Sequence, residues 1–321
     1  MLKEISIEIT RKCPNKCVYC SSLSDIDCKE ILDFDLFVNI IDDACKLGAN
    51  TICLSGGEPF IHPNIIDMIN YVNGKKLNCY IYSSGIILDE NNNFAPIEKK
   101  LLAPAAGKIT KIIFNIEAGT EQTYNYIMGT TGCFNIMRQS IKNAGELSIV
   151  TEAHFVPMKP NLNEIEKTIE LCKELSVSKI SFLRLVVHGR ALTNKDSIDL
   201  NNDELERIKS KLAELKSGNN MDIRIGIPLS DKKECHRCEA ASGKINIRYD
   251  GCVFPCEVFK NEITGIQLNG FKPENIRHNS LIDIYNNSSY LQYVRDYSSS
   301  YKQGNYSETC VGQYLLTCKD N

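Results

Sequence analysis

Residues 3–10 alternate polar and apolar side chains with a period of two, placing Ile5, Ile7 and Ile9 on one face of a predicted strand. Further strand candidates cover 51–54, 78–83, 111–116, 148–156 and 179–187. Between them, apolar positions recur at helical spacing over 34–47, 65–72, 135–147 and 162–175. Asp33 or Asp35 can cap the first of these helices and Gly48 can end it; Asn161 or Asn163 can cap the one entered after Pro160. Strands alternating with helices predict an α/β fold of parallel strands joined by crossover helices. Six strands suit an open, partial (β/α)6 barrel better than a closed eight-stranded one. Ligands then belong at the carboxyl ends of the strands, where the loops gather.

The grammar changes after a helical pattern at 203–215. Residues 217–220, Ser-Gly-Asn-Asn, break it, and short strands follow at 223–227, 244–248 and 253–254. The expected division is a core over 1–210 and a smaller β-hairpin and helix unit over 211–321. The polar stretches 91–93 and 298–300 read as loops.

The 321 residues suffice for this arrangement, with 43% hydrophobic and 24% charged side chains. No run of eighteen apolar residues spans a membrane, and no signal peptide precedes the first strand, so a cytoplasmic placement is expected. The net charge of -3, with no long basic block, disfavours a general nucleic-acid binder. Fifteen cysteines, an odd number without a secretion signal, point to reduced thiols serving metals rather than to disulfides. Cys45, Cys53, Cys79 and Cys172 lie in strand or helix patterns and are expected as small core residues.

The chemistry concentrates in Cys13-Pro14-Asn15-Lys16-Cys17-Val18-Tyr19-Cys20, just after the first strand. Three thiols spaced C-x3-C-x2-C can wrap one compact centre. A 4Fe-4S cluster held by three thiolates leaves one iron without a protein ligand. A structural zinc wants four ligands, and Cys28, the one local candidate, stands at no common zinc spacing. The motif, with Tyr19 before the last cysteine, resembles the radical S-adenosylmethionine (radical SAM) superfamily. The resemblance implies a partial barrel, and an open iron that chelates the amino and carboxylate groups of S-adenosylmethionine. It also implies reductive cleavage of that cofactor to a 5'-deoxyadenosyl radical.

Ser55-Gly56-Gly57-Glu58-Pro59 follows the second strand. Two glycines let backbone approach a ligand closely. By the resemblance, Gly56, Gly57, Glu58 and Pro59 hold the methionine amino group, and Ser83 and Ser84 contact the cofactor. Asn115 stands where relatives often carry a serine; a strand-end residue bonding a turn explains it equally well. Relatives often place an arginine soon after strand four, but 123–129 contains none; Arg184, on the sixth strand, is the expected substitute.

Further cysteines gather at Cys235-His236-Arg237-Cys238, at Gly251-Cys252-Val253-Phe254-Pro255-Cys256, and at Cys310 and Cys318. This arrangement resembles the Twitch and SPASM domains of radical SAM enzymes, which carry auxiliary iron-sulfur clusters. The tail has fewer cysteines than a two-cluster domain. The resemblance therefore implies one auxiliary 4Fe-4S cluster, ligated by Cys235, Cys238, Cys256 and one of Cys310 and Cys318. A set using both tail cysteines without Cys235 is the second choice, and zinc is the competing metal. Cys252 either packs in the hairpin or donates a hydrogen atom to a substrate radical. His188 and Arg190 follow strand six; His188 can move a proton near neutral pH or simply be solvated. His154, Glu117, Glu152 and Arg184 lie near strand ends or interiors, where polar residues often line a cavity.

The leading reading is an enzyme that abstracts a hydrogen atom from a ribosomally made peptide, leading to a crosslink or an epimerisation. It needs an external electron donor such as flavodoxin or ferredoxin. Because the chain opens on strand one, a separate leader-peptide-recognition protein, or direct docking, is expected. A small-molecule radical SAM enzyme is the alternative, either GTP-cyclase-like or a sugar or alcohol dehydrogenase. The molybdenum-cofactor GTP cyclases end in Gly-Gly, whereas this chain ends in Cys318-Lys319-Asp320-Asn321. A third class, an iron-sulfur electron carrier or redox sensor, would need no Gly56–Pro59 motif.

Overall fold

The computed structural model describes residues 1–226, 229–230, 238–260, 270–300, 310, 312 and 315. The strands are β1 (Glu4–Thr10), β2 (Thr51–Gly56), β3 (Asn78–Ser83), β4 (Ile86–Leu88), β5 (Phe94–Pro96), β6 (Lys111–Asn115), β7 (Thr151–Phe155), β8 (Lys179–Phe182), β9 (Asp222–Ile225), β10 (Lys244–Ile247) and β11 (Val253–Phe254). Among the described residues, nine of them form one sheet in the order β11-β10-β1-β2-β3-β6-β7-β8-β9. All neighbours are parallel except β10 and β11. The two ends of that order do not pair with each other, which is the expected open barrel.

Alternation in β1 separates two environments, and both are buried. Ile5, Ile7 and Ile9 are fully buried in the apolar layer under the helices, each contributing about 1.5–3 kcal/mol by leaving water. The helix Phe34–Lys46 supplies Phe37, Ile40, Ile41 and Ala44 to that layer, a spacing that lays four side chains along one stripe. Ser6, Glu8 and Thr10 are buried on the opposite face. That inner face is polar: Lys244 bridges Glu4 at 3.0 Å and Glu257 at 3.1 Å, and Lys111 pairs with Glu152 at 2.9 Å. Cys53 faces it as well, beside Tyr82, so it is not an ordinary member of the apolar core, unlike Cys79 and Cys172.

Several elements depart from expectation. The stretch 179–187 is a strand only to Phe182. After Leu183 N–H bonds Phe155 O and Gly226 N–H bonds Phe182 O, both at or under 2.9 Å, the chain leaves the ladder. Arg184 therefore sits on a loop, not on a strand. The stretch near 223, expected to open the second unit, pairs with β8, and β10 pairs with β1, so strands from both sides of residue 210 share one sheet. Residues 91–93 form the turn between β4 and β5, an antiparallel pair that short, irregular patterning hid. The helix Asn202–Gly218 is capped reciprocally by Asn201 and Glu204.

Candidate active site

One cavity of about 280 Å³ lies at the carboxyl ends of the parallel strands, near the lower end of ordinary small-molecule sites, roughly 300–1,000 Å³. Cys13, Cys17, Cys20, Tyr19, Gly56, Gly57, Ser83, Ser84, Asn115 and Arg184 all line it. Glu58 and Pro59 are buried behind the wall.

The cysteine loop is held from three directions. Cys13 N–H bonds Asp25 O at 2.9 Å. Lys16 and Val18 N–H bond Met128 O and Ile127 O, at the end of the helix Glu121–Met128. From the other side, Arg190 donates through Nε to Cys17 O at 2.8 Å and through Nη2 to Ser24 O at 2.6 Å, and Asn194 Nδ2 donates to Val18 O at 2.8 Å. Burial pushes the Cys13 and Cys17 thiols upward, helped by neighbouring negative groups; Arg190 partly opposes this at Cys17. A bound metal releases such protons.

The Gly56-Gly57 pair allows β2 to meet the end of β1. Gly57 N–H bonds Thr10 O at 2.7 Å, and Glu58 N–H bonds Lys12 O at 2.9 Å. A Cβ on Gly57 would stand 1.9 Å from Lys12 O, and Gly56 adopts φ +134°. Only glycine fits here. Glu58 is enclosed: Oε1 accepts from Ser83 Oγ at 2.8 Å and Phe60 N at 3.3 Å, and Oε2 from Ser84 N at 2.8 Å and Ser84 Oγ at 2.6 Å. Burial raises its pKa despite these bonds. Glu58 thus acts on the cavity through Ser83 and Ser84.

Tyr19 is fixed in a similar way. Its hydroxyl donates to Glu117 Oε1 at 2.6 Å and accepts from Asn115 Nδ2 at 2.9 Å. Val156 N–H donates to Glu117 Oε2 at 2.8 Å. Glu117 is fully buried, and burial raises its pKa to about 7. Arg184 makes no hydrogen bond or ion pair to another described residue. His154 packs against Tyr82, with ring centroids 5.3 Å apart, and burial lowers its pKa to about 3, so it is neutral. His188 is half-buried and its pKa is lowered by burial.

Sequence reasoning missed Asn15, Ser24, Ser22 and Lys260, which also line the cavity. Asn15 lies inside the cysteine motif and Ser22 and Ser24 lie just beyond Cys20, which gave a positional hint; nothing in the sequence marks Lys260. Asn15 Nδ2 and Ser24 Oγ are buried without a hydrogen-bond partner among the described residues, as expected of a wall built for a polar occupant.

Cys235 and Cys318 lie outside the described residues. Cys256 and Cys310 are near enough for their charges to interact, and burial raises the Cys256 pKa. Cys238 packs half-buried against the core. Cys252 Sγ accepts from Asn275 Nδ2 at 3.4 Å and does not line the cavity. Among the described residues, no three His, Cys, Asp or Glu side chains converge on one metal-ion position. Three thiols on one wall and two orphaned polar groups beside them fit an iron-sulfur centre with a polar cofactor.

Residues 7–172 match the radical SAM superfamily, and residues 231–312 match SPASM, an iron-sulfur cluster-binding domain. The chain belongs to the radical SAM superfamily: it is a radical SAM enzyme with a SPASM domain at its C-terminal end, and its cofactors are 4Fe-4S clusters and S-adenosylmethionine. Among curated proteins it is similar to a PqqA peptide cyclase of Gluconobacter oxydans, 23% identical over 254 residues, covering 78% of this chain and 68% of that enzyme. It is also similar to an AdoMet-dependent heme synthase of Methanosarcina barkeri, 25% identical over 319 residues, covering 91% and 84%. Among solved structures, Streptococcus suis SuiB bound to S-adenosylmethionine superposes with a TM-score of 0.73 at 16% identity, over 92% of this chain and 68% of SuiB. SuiB bound to precursor peptide SuiA gives the same score. No helix among the described residues is long and apolar enough to cross a membrane.

Proposed function

We propose that this enzyme modifies a ribosomally made peptide, by a crosslink or an epimerisation, and that Cys13, Cys17 and Cys20 hold the cluster that engages S-adenosylmethionine. The observation that carries the site assignment is the single cavity that gathers these thiols with Gly56, Gly57, Ser83 and Ser84. The peptide reading is supported by the SPASM match and by the names of the peptide cyclase and the SuiB–SuiA complex. When bound, cluster and cofactor supply a carbon-centred radical able to take a hydrogen atom from an unactivated C–H bond.

The chain's own residues do the rest. Backbone at Gly56 and Gly57 binds the methionine amino group, and Ser83 and Ser84 contact and orient the cofactor. Tyr19, clamped by Glu117 and Asn115, keeps one wall rigid, and Arg184 offers a cation to a carboxylate. Cys235, Cys238, Cys256 and Cys310 or Cys318 hold one auxiliary cluster. The part that matches the radical SAM family, 7–172, does the radical chemistry, and the part that matches SPASM, 231–312, has the auxiliary role while lending a strand to the core sheet. An external flavodoxin or ferredoxin delivers the electron in the cytoplasm, and a separate leader-recognition protein or direct docking presents the peptide.

Anaerobic protein given dithionite, S-adenosylmethionine and a short peptide encoded beside its gene should yield 5'-deoxyadenosine and a peptide of altered mass or stereochemistry. Cofactor cleavage without any peptide change, for every such peptide, sinks the substrate assignment. The heme synthase match, over 91% of the chain, favours a small-molecule substrate as the second reading. Product formation from a small molecule in place of a peptide decides for it.

A further inference from the structure

Lys260 brings the two cysteine regions together at the cavity. It directly follows the short turn Glu257–Phe259, whose preceding residue is Cys256. It is therefore carried by the SPASM part, yet it lines the cavity beside Cys20 and Ser22. Its ammonium donates to Glu8 Oε1 at 2.5 Å and to Ser22 Oγ at 2.8 Å, and Ser22 Oγ donates to the same Glu8 oxygen at 2.7 Å. The Lys260 side chain is 12% exposed and that of Glu8 is 1% exposed. Glu8 does not line the cavity and Lys260 does, so the positive end of this pair borders the cavity, near enough to Cys20 for their charges to interact, and the negative end lies behind it. The Glu8 charge raises the Lys260 pKa against the effect of burial, which keeps the ammonium charged at neutral pH.

A charge fixed in a buried wall is screened far less than one in water. A cluster gains one negative charge when it is reduced. A cation held nearby favours that state, and an anion placed behind the cation partly offsets it. Hydrogen bonding and charge around the sulfurs are established means of setting a cluster's potential.

We propose that Lys260 is a positioning residue through which the SPASM part sets the reduction potential of the cluster bound by Cys13, Cys17 and Cys20. This rests on the ligand assignment made above. No electron passes through Lys260. The external donor supplies the electron, and the fixed ammonium shifts the equilibrium toward the reduced cluster. The turn that carries Cys256 thereby tunes a centre in the other part of the chain.

The test is an anaerobic redox titration of the full, cluster-loaded chain followed by electron paramagnetic resonance. The signal that changes on adding S-adenosylmethionine reports the N-terminal cluster. Lys260→Met should move its potential to more negative values, and Lys260→Arg should restore it. Glu8→Gln, which removes the anion behind the lysine, should move it the opposite way. The double variant should fall between the two single ones. Equal potentials in all variants at wild-type iron content overturn the proposal, as does a shift of the same sign for Lys260→Met and Glu8→Gln. Should Lys260→Met lose iron, the sign of the Glu8→Gln shift decides alone. A wild-type chain whose signals ignore S-adenosylmethionine overturns the ligand assignment itself, and this inference with it.

Discussion

The two cysteine regions are built on opposite principles. Cys13, Cys17 and Cys20 lie within eight residues, and the fold pins the loop between them with bonds from Asp25, from the end of the helix Glu121–Met128, and from Arg190 and Asn194. The C-terminal cysteines come from separate segments. Cys256 follows β11, and Cys310, from the tail, lies near enough for their charges to interact. A local triad needs the fold only to aim it. A dispersed set needs the fold to assemble it, so its ligands and its mechanical link to the cavity are set by tertiary structure. Lys260, directly after the turn that begins at Cys256, is where the second region reaches the cavity of the first.

The comparison breaks most sharply by removing one thiol from each side. Cys17→Ala should abolish the N-terminal cluster, with no 5'-deoxyadenosine detectable by chromatography under dithionite. Cys256→Ala should keep substrate-independent cleavage of S-adenosylmethionine while product formation is lost. If Cys256→Ala abolishes cleavage as completely as Cys17→Ala, the two regions are one functional unit and the contrast fails.

A smaller effect tests how the loop is aimed. In Gly57→Ala the new methyl meets Lys12 O at 1.9 Å, so the junction of β1 and β2 must shift. Overpacking of this kind costs about 1–3 kcal/mol. A shift expressed at the cavity weakens S-adenosylmethionine binding about 5–150-fold by the same arithmetic. Equilibrium dialysis with the cofactor measures it. Unchanged affinity and melting temperature would show that the junction tolerates displacement.

The core strands and the cysteine triad were legible because local pattern carries them: period-two alternation in β1, short apolar runs in β2 and β3, and three thiols in one loop. Glu8 was not legible. In Lys3 to Thr10 it looks like a solvent-facing polar residue, yet it is buried because the barrel interior, not water, lies on that face. Lys260 was invisible for a related reason, since its partners Glu8 and Ser22 stand more than 230 positions away. The end of β8 at Phe182 and the pairing of β9 and β10 into the core sheet likewise depend on long-range ladders. Glu58 belongs to a motif that sequence reasoning found, but its four hydrogen bonds to Phe60, Ser83 and Ser84 show that it shapes the cavity from behind.

Glu117 gives the smallest effect and tests whether the wall beside the triad is held by charge or by shape. Its carboxyl titrates near pH 7 in the folded chain because of burial, well above its ordinary value of 4.5. A raised carboxyl pKa means that the folded state binds the proton more tightly than the unfolded state. Its stabilising contribution is therefore full at low pH and fades as pH rises through about 7. From pH 6 to pH 8 the folded chain should lose about 1 kcal/mol from this group. Glu117→Gln removes the titration and can still accept from Val156 N–H and donate to the Tyr19 oxygen. Denaturant unfolding of the two proteins at pH 6 and pH 8 should show the wild type losing that stability and the variant keeping it. A parallel decline in both means that Glu117 is charged across the whole range, held by Tyr19 and Val156 more strongly than burial opposes it.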